Sequence, residues 1–168
     1  CGGIANNKHF PALETQKDKC EMVAFCDTQL ERAKEACEKY GVENAKYYED
    51  YKELLKDESI DVIHVCTPNV SHSPITVDAF EAGKHVMCEK PMAHNTEAAN
   101  EMMKAWKKSG KQFAIGYQNR FREEVRSLHE SCEQGDLGEI YFANAHAVRR
   151  KAVPTWGVFP DKAQQGGG

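Results

Sequence analysis

Polar residues able to do chemistry follow three apolar runs of the sequence. They are Asp27 after the first run, Thr67, Pro68 and Asn69 after the second, and Glu89 and Lys90 after the third. A carboxylate accepts hydrogen bonds from sugar hydroxyls. A lysine can hydrogen-bond a substrate hydroxyl and stabilise the negative charge that develops on its oxygen. If the fold brings the residues after these three runs together, they form a binding site in which Lys90 is the candidate catalytic cation.

A glycine pair at the start of the chain adds a second candidate feature. The segment CGGIA fits the last five positions of G-x-G-x-x-G/A, with Gly2 as the second glycine and Ala5 as the third small residue. In that pattern the backbone approaches a pyrophosphate, and the small residue lets the helix pack on the strand. An acidic residue about 20 positions later takes the ribose hydroxyls of the adenosine, and Asp27 is placed for this role.

Asp27 also indicates which dinucleotide is bound. A carboxylate at this position repels a 2′-phosphate, which favours NAD, whereas Arg32 one turn into the following helix keeps NADP possible. The alternative is that Asp27 is only a helix N-cap. Beyond the next strand, Asn69 can be a turn residue and His72 a surface histidine. The alternative for Glu89 and Lys90 is a structural ion pair, which usually contributes little.

The elements that must position these residues alternate along the chain. Apolar runs predict strands at 21–27, 45–50, 61–68, 84–91 and 111–117, and helical spacing predicts helices at 28–41, 51–57, 73–83 and 95–110. This order predicts a doubly wound parallel sheet with helices on both faces. Ligands then bind beyond the carboxyl ends of the strands, where the polar residues that follow the apolar runs are expected to lie.

The pattern changes after residue 117. Phe121, Val125, Leu128 and Cys132 predict one more helix, and the segment 139–150 is expected to form a long strand. We therefore expect a dinucleotide-binding domain over 1–120 and, over 121–168, a linker helix and the start of a second domain.

Composition excludes several classes of protein. The 168 residues carry a net charge of −4 with interspersed signs, which does not suggest nucleic acid or an anionic membrane as partner. No apolar run approaches the length needed to span a bilayer. The seven cysteines have no metal-ligand spacing, so no metal is expected. Cys26, Cys66 and Cys88 lie in apolar runs and are expected to be buried reduced thiols, which favours the cytoplasm.

Six segments together resemble the Gfo/Idh/MocA family of nicotinamide-dependent oxidoreductases. They are CGGIA, CDTQLERA, VCTPNVSH, AGKHVMCEKP, GYQNRF and GDLGEIYFANAHAVRR, and they cover nearly all of the chain. The resemblance implies a Rossmann domain followed by an α/β domain with a mostly antiparallel sheet. It also implies oxidation or reduction of a hydroxyl of a sugar, cyclitol or related polyol, in a homo-oligomer formed through the C-terminal sheet.

The resemblance also implies roles for individual residues. Gly2, Gly3 and Ile4 would hold the pyrophosphate, and Asp27 the ribose. The cofactor would be lined by Thr67, Pro68, Asn69 and His72, with Glu89 and Lys90 near the nicotinamide ribose. Lys90 would be catalytic, and its bond to Pro91 is often cis in the family. Gln118 and Arg120 would approach nicotinamide and substrate, and Trp156 would lie on the substrate side.

Two departures from the family pattern suggest a fragment. The first glycine and its preceding strand are absent, and the chain stops at Gly168, before the expected Asp and His that transfer a proton. In the doubly wound order that strand lies between 21–27 and 61–66, so we expect a gap there or an arrangement inherited from a longer parent. A glycosidase of the same family and a non-catalytic NAD-sensing protein are the alternative functions.

Overall fold

The computed structural model describes residues 1–148, 150, 157–158 and 160–166, and it shows an α/β fold with parallel strands. The described residues form β1 (Ala24–Cys26), β2 (Lys46–Tyr48), β3 (Val62–Val65), β4 (His85–Cys88) and β5 (Phe113–Ile115). Each strand lies inside a predicted one and is shorter than it. The predicted Rossmann-like class is confirmed.

The five strands are divided between two sheets. β1 pairs with β2, and β4 lies between β3 and β5, all in parallel. In the described part of the chain no ladder joins β1 to β3. The order β2-β1 followed by β3-β4-β5 is a doubly wound order interrupted between β1 and β3.

The helices follow the predicted alternation with the strands. They are α1 (Phe10–Glu14), α2 (Leu30–Tyr40), α3 (Tyr51–Leu55), α4 (His72–Glu81), α5 (Thr96–Ser109), α6 (Glu123–Glu133) and α7 (Lys162–Gln165). At the start of α5 the Asn95 side chain accepts a hydrogen bond from the Ala98 N–H at 2.8 Å. Lys107 and Lys108 lie in its last turn, where positive charges interact favourably with the helix dipole and stabilise the helix.

The glycine pair leads into a helical segment that periodicity did not identify. Residues Ala5–His9 form a wide π turn, closed by the Phe10 N–H on the Ala5 carbonyl, and α1 continues from it. Pro11 has no N–H to donate one turn back, and the wide turn lies directly before this interruption. The Phe10 ring anchors the segment, with centroid distances of 5.4 Å to Phe25 and 5.1 Å to Tyr40.

The described core consists of two apolar clusters. The smaller one is formed by Phe25, Ala33, Ala36 and Tyr40. The larger one contacts both sheets. Its fully buried members include Val65 on β3, Cys88 on β4 and Met102 on α5. Ala24 and Tyr48, from the two-stranded sheet, pack against the same cluster. Burial of apolar surface therefore joins the two sheets where no main-chain ladder does.

The predicted strand at 139–150 is wrong for its described part. Residues 139–148 form neither strand nor helix, and Tyr141 is 93% exposed. An isolated extended segment has no ladder partner for its N–H and C=O groups, so its alternating pattern cannot produce a strand here. The second-domain sheet and the boundary near residue 120 stay predictions. Among the described residues, no helix is both long and apolar enough to cross a lipid bilayer.

Candidate dinucleotide site

The predicted site residues lie along one rim of the sheets. Val65, Cys88 and Ile115 are side by side in register at the carboxyl ends of β3, β4 and β5. Glu89 and Gly116, the next residues of β4 and β5, are therefore neighbours, as are the loops that follow. The parallel topology thus brings together residues that are far apart in sequence.

Asp27 follows β1 directly and has an ionised carboxylate. Its Oδ1 accepts the Gln29 N–H at 3.0 Å. Burial raises the pKa of Asp27, whereas the Gln29 hydrogen bond and the charge of Arg32 act to lower it, and the pKa lies below its usual value. The N-cap position of α2 is Gln29, so the N-cap alternative for Asp27 is wrong. A charged acceptor at this strand end suits ribose hydroxyls.

The glycine segment leaves room for a ligand. A Cβ placed on Gly2 would meet no atom within 4 Å, and Ile4 is 41% exposed. Gly3 and Ile4 are the first helical residues of the segment and lie directly before the π turn. The residues present therefore fit a dinucleotide phosphate, with Gly2, Gly3 and Ile4 beside it and Asp27 at the ribose.

Glu89 does not pair with the side chain of Lys90. Its Oε1 accepts from His9 Nε2 at 2.8 Å, and its Oε2 accepts the backbone N–H of Lys90 at 3.1 Å. A Cβ added to Gly116 would lie 3.2 Å from the Glu89 Cδ, so the carboxylate lies against glycine backbone. Lys90 itself is exposed, and the Lys90–Pro91 bond is cis, as the resemblance implied. The alternative of a structural Glu89–Lys90 ion pair is wrong.

His72 is buried instead of facing a cofactor. It is 1% exposed, and its Nδ1 lies 2.8 Å from the Pro91 carbonyl oxygen and its Nε2 2.9 Å from that of Thr67. The ring therefore bridges the loops that follow β3 and β4. The alternative of a surface histidine is therefore wrong, and the cofactor role of His72 stays a prediction.

The loop after β3 also contacts the last described segment. Pro68 precedes a single 3₁₀ turn, Asn69–Ser71, and the Asn69 Nδ2 donates to Gln165 Oε1 at 2.6 Å. A Cβ on Gly166 would lie 2.6 Å from the Cβ of His94, so this glycine is needed for close packing. Gln165 and His94 thus border the rim, although no local sequence pattern marks them.

The remaining predicted residues are exposed. Gln118 and Arg120 lie in a 3₁₀ turn after β5, at the same edge as Glu89, and the Arg120 guanidinium lies 5.6 Å from the Tyr117 ring centroid. Thr67 is exposed on the β3 loop and Arg32 on α2. Trp156 lies outside the described residues. His9 was not identified from the sequence, because a lone histidine in a weakly periodic segment has no distinguishing pattern.

Comparison with known proteins agrees with this arrangement. The sequence model of an oxidoreductase family with an NAD-binding Rossmann fold, GFO_IDH_MocA, matches residues 1–117. D-glucoside 3-dehydrogenase of Escherichia coli (strain K12) is 44% identical over 167 residues, which make up 99% of this chain and 47% of that protein. Inositol 2-dehydrogenase of Salmonella paratyphi B is 30% identical over 155 residues, or 92% of this chain and 46% of that protein.

Solved structures show the same similarity. The WlbA dehydrogenase of Chromobacterium violaceum, in complex with NADH and UDP-GlcNAcA, superposes with a TM-score of 0.78 and 35% sequence identity. The match covers 84% of this chain and 40% of that one. The chain spans about half the length of the curated relatives it matches.

Proposed function

Because the chain belongs to the Gfo/Idh/MocA family of oxidoreductases with an NAD-binding Rossmann fold, we propose that it binds NAD along this rim and acts in hydride transfer. The substrate carbon bears a hydroxyl and belongs to a sugar, a cyclitol or a related polyol. Two relatives support this substrate class, since one is a glucoside dehydrogenase and the other an inositol dehydrogenase.

The observation that carries the proposal is the position of Lys90. It follows β4 at the rim, it is exposed, and the neighbouring carboxylate is engaged by His9 and a backbone N–H. No ion pair holds its ammonium among the described residues, so this group is available to a substrate oxygen. A positioned cation at that oxygen lowers the barrier because negative charge develops there.

The chain's own residues have separate tasks in this reaction. When bound, NAD supplies the position that accepts a hydride from the hydroxyl-bearing carbon. Lys90 hydrogen-bonds the oxygen on that carbon and stabilises its negative charge, while a general base, the Asp and His expected from the family resemblance, takes the hydroxyl proton. Gln118 and Arg120 border the substrate side of the rim. Asp27 accepts hydrogen bonds from the adenosine ribose and disfavours a 2′-phosphate, so NAD is preferred to NADP.

The test is turnover of the full-length protein with a panel of polyols, glycosides and inositols, followed by the absorbance of reduced nicotinamide. We expect at least one polyol to support turnover. The substitution Lys90→Ala should reduce kcat about 100-fold or more while NAD still binds. A single positioned hydrogen-bond donor commonly contributes a rate enhancement of that size. Lys107→Ala, in the last turn of α5, is the matched control and should leave kcat unchanged.

Other outcomes separate the alternatives. Glycoside cleavage without net change in nicotinamide absorbance would instead favour the glycosidase. Tight NAD binding without turnover of any substrate would favour an NAD-sensing protein. A Lys90→Ala variant as fast as the unmodified protein would remove Lys90 from the proposal.

A reducing compartment, most simply the cytoplasm, agrees with the cysteines. All seven are free thiols, and burial raises the pKa of Cys66 and of Cys88 to about 12. Cys88 is buried as predicted, whereas Cys26 and Cys66 keep partial exposure. A homo-oligomer formed through a C-terminal sheet stays a prediction, to be tested by light scattering of the full-length protein.

A further inference from the structure

The Glu89 carboxylate is connected to two histidines that have no role in the proposed reaction. His9 Nε2 lies 2.8 Å from Glu89 Oε1, and His9 Nδ1 lies 3.3 Å from His64 Nδ1. The two rings meet edge to face, with centroids 5.6 Å apart. The side chains of His9 and Glu89 are only 9% and 13% exposed. These contacts link the first helical segment, strand β3 and the end of β4.

The chemistry of the groups fixes the direction of one of these hydrogen bonds. A carboxylate oxygen only accepts, so His9 Nε2 carries a hydrogen and donates it to Glu89. Between the two rings one Nδ1 donates and the other accepts: a neutral His9 accepts from His64, and a charged His9 donates to it. Desolvation of the His64 ring lowers the pKa of this residue, and the adjacent His9 lowers it further. In both arrangements the two rings are hydrogen-bonded and His9 donates to Glu89.

The other side of the Glu89 carboxylate is also fixed. Its Oε2 accepts the Lys90 backbone N–H at 3.1 Å, and the backbone of Gly116 lies close to its Cδ. Both oxygens thus have partners, and neither partner is the Lys90 ammonium. An unengaged carboxylate next to an ammonium would be expected to form an ion pair with it.

We propose that His64 and His9 form a hydrogen-bonded relay that holds Glu89 away from the Lys90 side chain. The relay keeps the Lys90 ammonium free to contact the substrate oxygen. His9 and His64 are positioning residues, since they act through Glu89. The role of Lys90 in this proposal rests on the proposed function above, whereas the hydrogen-bond arrangement does not.

The kinetic test first removes the His9 ring and then also the Glu89 carboxylate that the ring contacts. His9→Leu should lower kcat about tenfold or more, because a hydrogen bond to a charged group is among the stronger ones. The dissociation constant of NAD should change less than about threefold, since Asp27 and the glycine segment are untouched. His9→Gln retains an N–H donor and should keep most of the activity. His129→Leu, an exposed histidine on α6, is the control and should have no effect.

A second substitution distinguishes this role from a purely structural one. Adding Glu89→Gln to His9→Leu removes the carboxylate that would capture Lys90, so turnover should rise to the level of Glu89→Gln alone. A double variant as slow as His9→Leu, or slower, would overturn the proposal. So would a His9→Leu variant that turns over at the normal rate.

The hydrogen positions can be tested without a substrate. Nitrogen-15 NMR of the histidine rings should show a hydrogen on His9 Nε2 and one hydrogen between the two facing Nδ1 atoms. In His9→Gln the His64 signal should shift, whereas the His129 signal should not. A His9 ring without a hydrogen on Nε2 would refute the relay even if the protein is an active dehydrogenase. The expected tautomers in a protein without turnover would instead point to failure of the proposed function.

Discussion

Replacing His72 by leucine should separate the two loops that its ring connects. The substitution retains an apolar body of similar size but removes both ring nitrogens, so the Thr67 and Pro91 carbonyls lose their partners. A carbonyl oxygen only accepts, so the ring donates to one carbonyl for each N–H that it carries. One hydrogen bond contributes about 0.5–1.5 kcal/mol net, and the loss of one or two should lower the free energy of unfolding by about 0.5–3 kcal/mol.

The adjacent residue on α4 provides the reference. Ser73 is 3% exposed, and its hydroxyl donates one hydrogen bond, to the Ala98 carbonyl at 3.1 Å. Ser73→Ala should therefore cost about 0.5–1.5 kcal/mol, the contribution of one hydrogen bond. Urea denaturation of the full-length protein and both variants, followed by circular dichroism, gives the free energies of unfolding.

The difference between the two variants is the decisive quantity. If His72→Leu costs less than about 0.5 kcal/mol while Ser73→Ala shows its expected loss, the ring contacts do not stabilise the fold, and the bridging role of His72 is refuted. A change in the slope with urea would mean that the substitution alters the denatured state, and the stabilities would then be compared by hydrogen exchange.

Three further substitutions test other parts of the structure. Asp27→Ala should narrow the gap between the dissociation constants of NAD and NADP, measured by calorimetry, and an unchanged gap would contradict its ribose role. Gly116→Ala places a Cβ within 3.2 Å of the Glu89 carboxylate. It should therefore weaken NAD binding and destabilise the protein by about 1–3 kcal/mol in thermal unfolding, as overpacking does. Hydrogen bonds, chiefly from Lys46, hold the pKa of Asp57 far below its usual value. Asp57 thus stabilises the fold above its unfolded pKa of about 3.9, and this contribution is lost as the pH falls below that value. Asp57→Asn should then be less stable than the unmodified protein at pH 7, and urea melts of the two should converge near about pH 2.

Most of the scaffold could be predicted from local pattern, because its strands and helices each have their own signal. The short apolar run at β4 ends at a proline, and α5 begins at Asn95 and ends at lysines, all of which act locally. The helical segment after Gly3 was missed because Pro11 interrupts its hydrogen bonds and few apolar residues repeat in it. The strand at 139–150 was predicted from alternation, but a strand also needs a partner.

The sequence predicted where the site residues lie, but it did not predict which groups they contact. Parallel topology alone places Asp27 and Glu89 at strand ends on one rim. Which group pairs with Glu89 depends on His9, which is 80 residues away in sequence. Burial of His72 depends in the same way on two carbonyls from other loops. Such contacts arise from packing between elements, and no local pattern contains them.

The interruption between β1 and β3 bears on how the two ends of the site are held. A continuous ladder fixes the register of neighbouring strands, because several main-chain hydrogen bonds form together. No ladder joins β1 and β3 in the described residues, and the contact between the two sheets is apolar, with Ala24 and Tyr48 packed on the cluster that contains Val65. Asp27 follows β1 and Lys90 follows β4, so in the described residues the packing of side chains, and no main-chain ladder, relates the two.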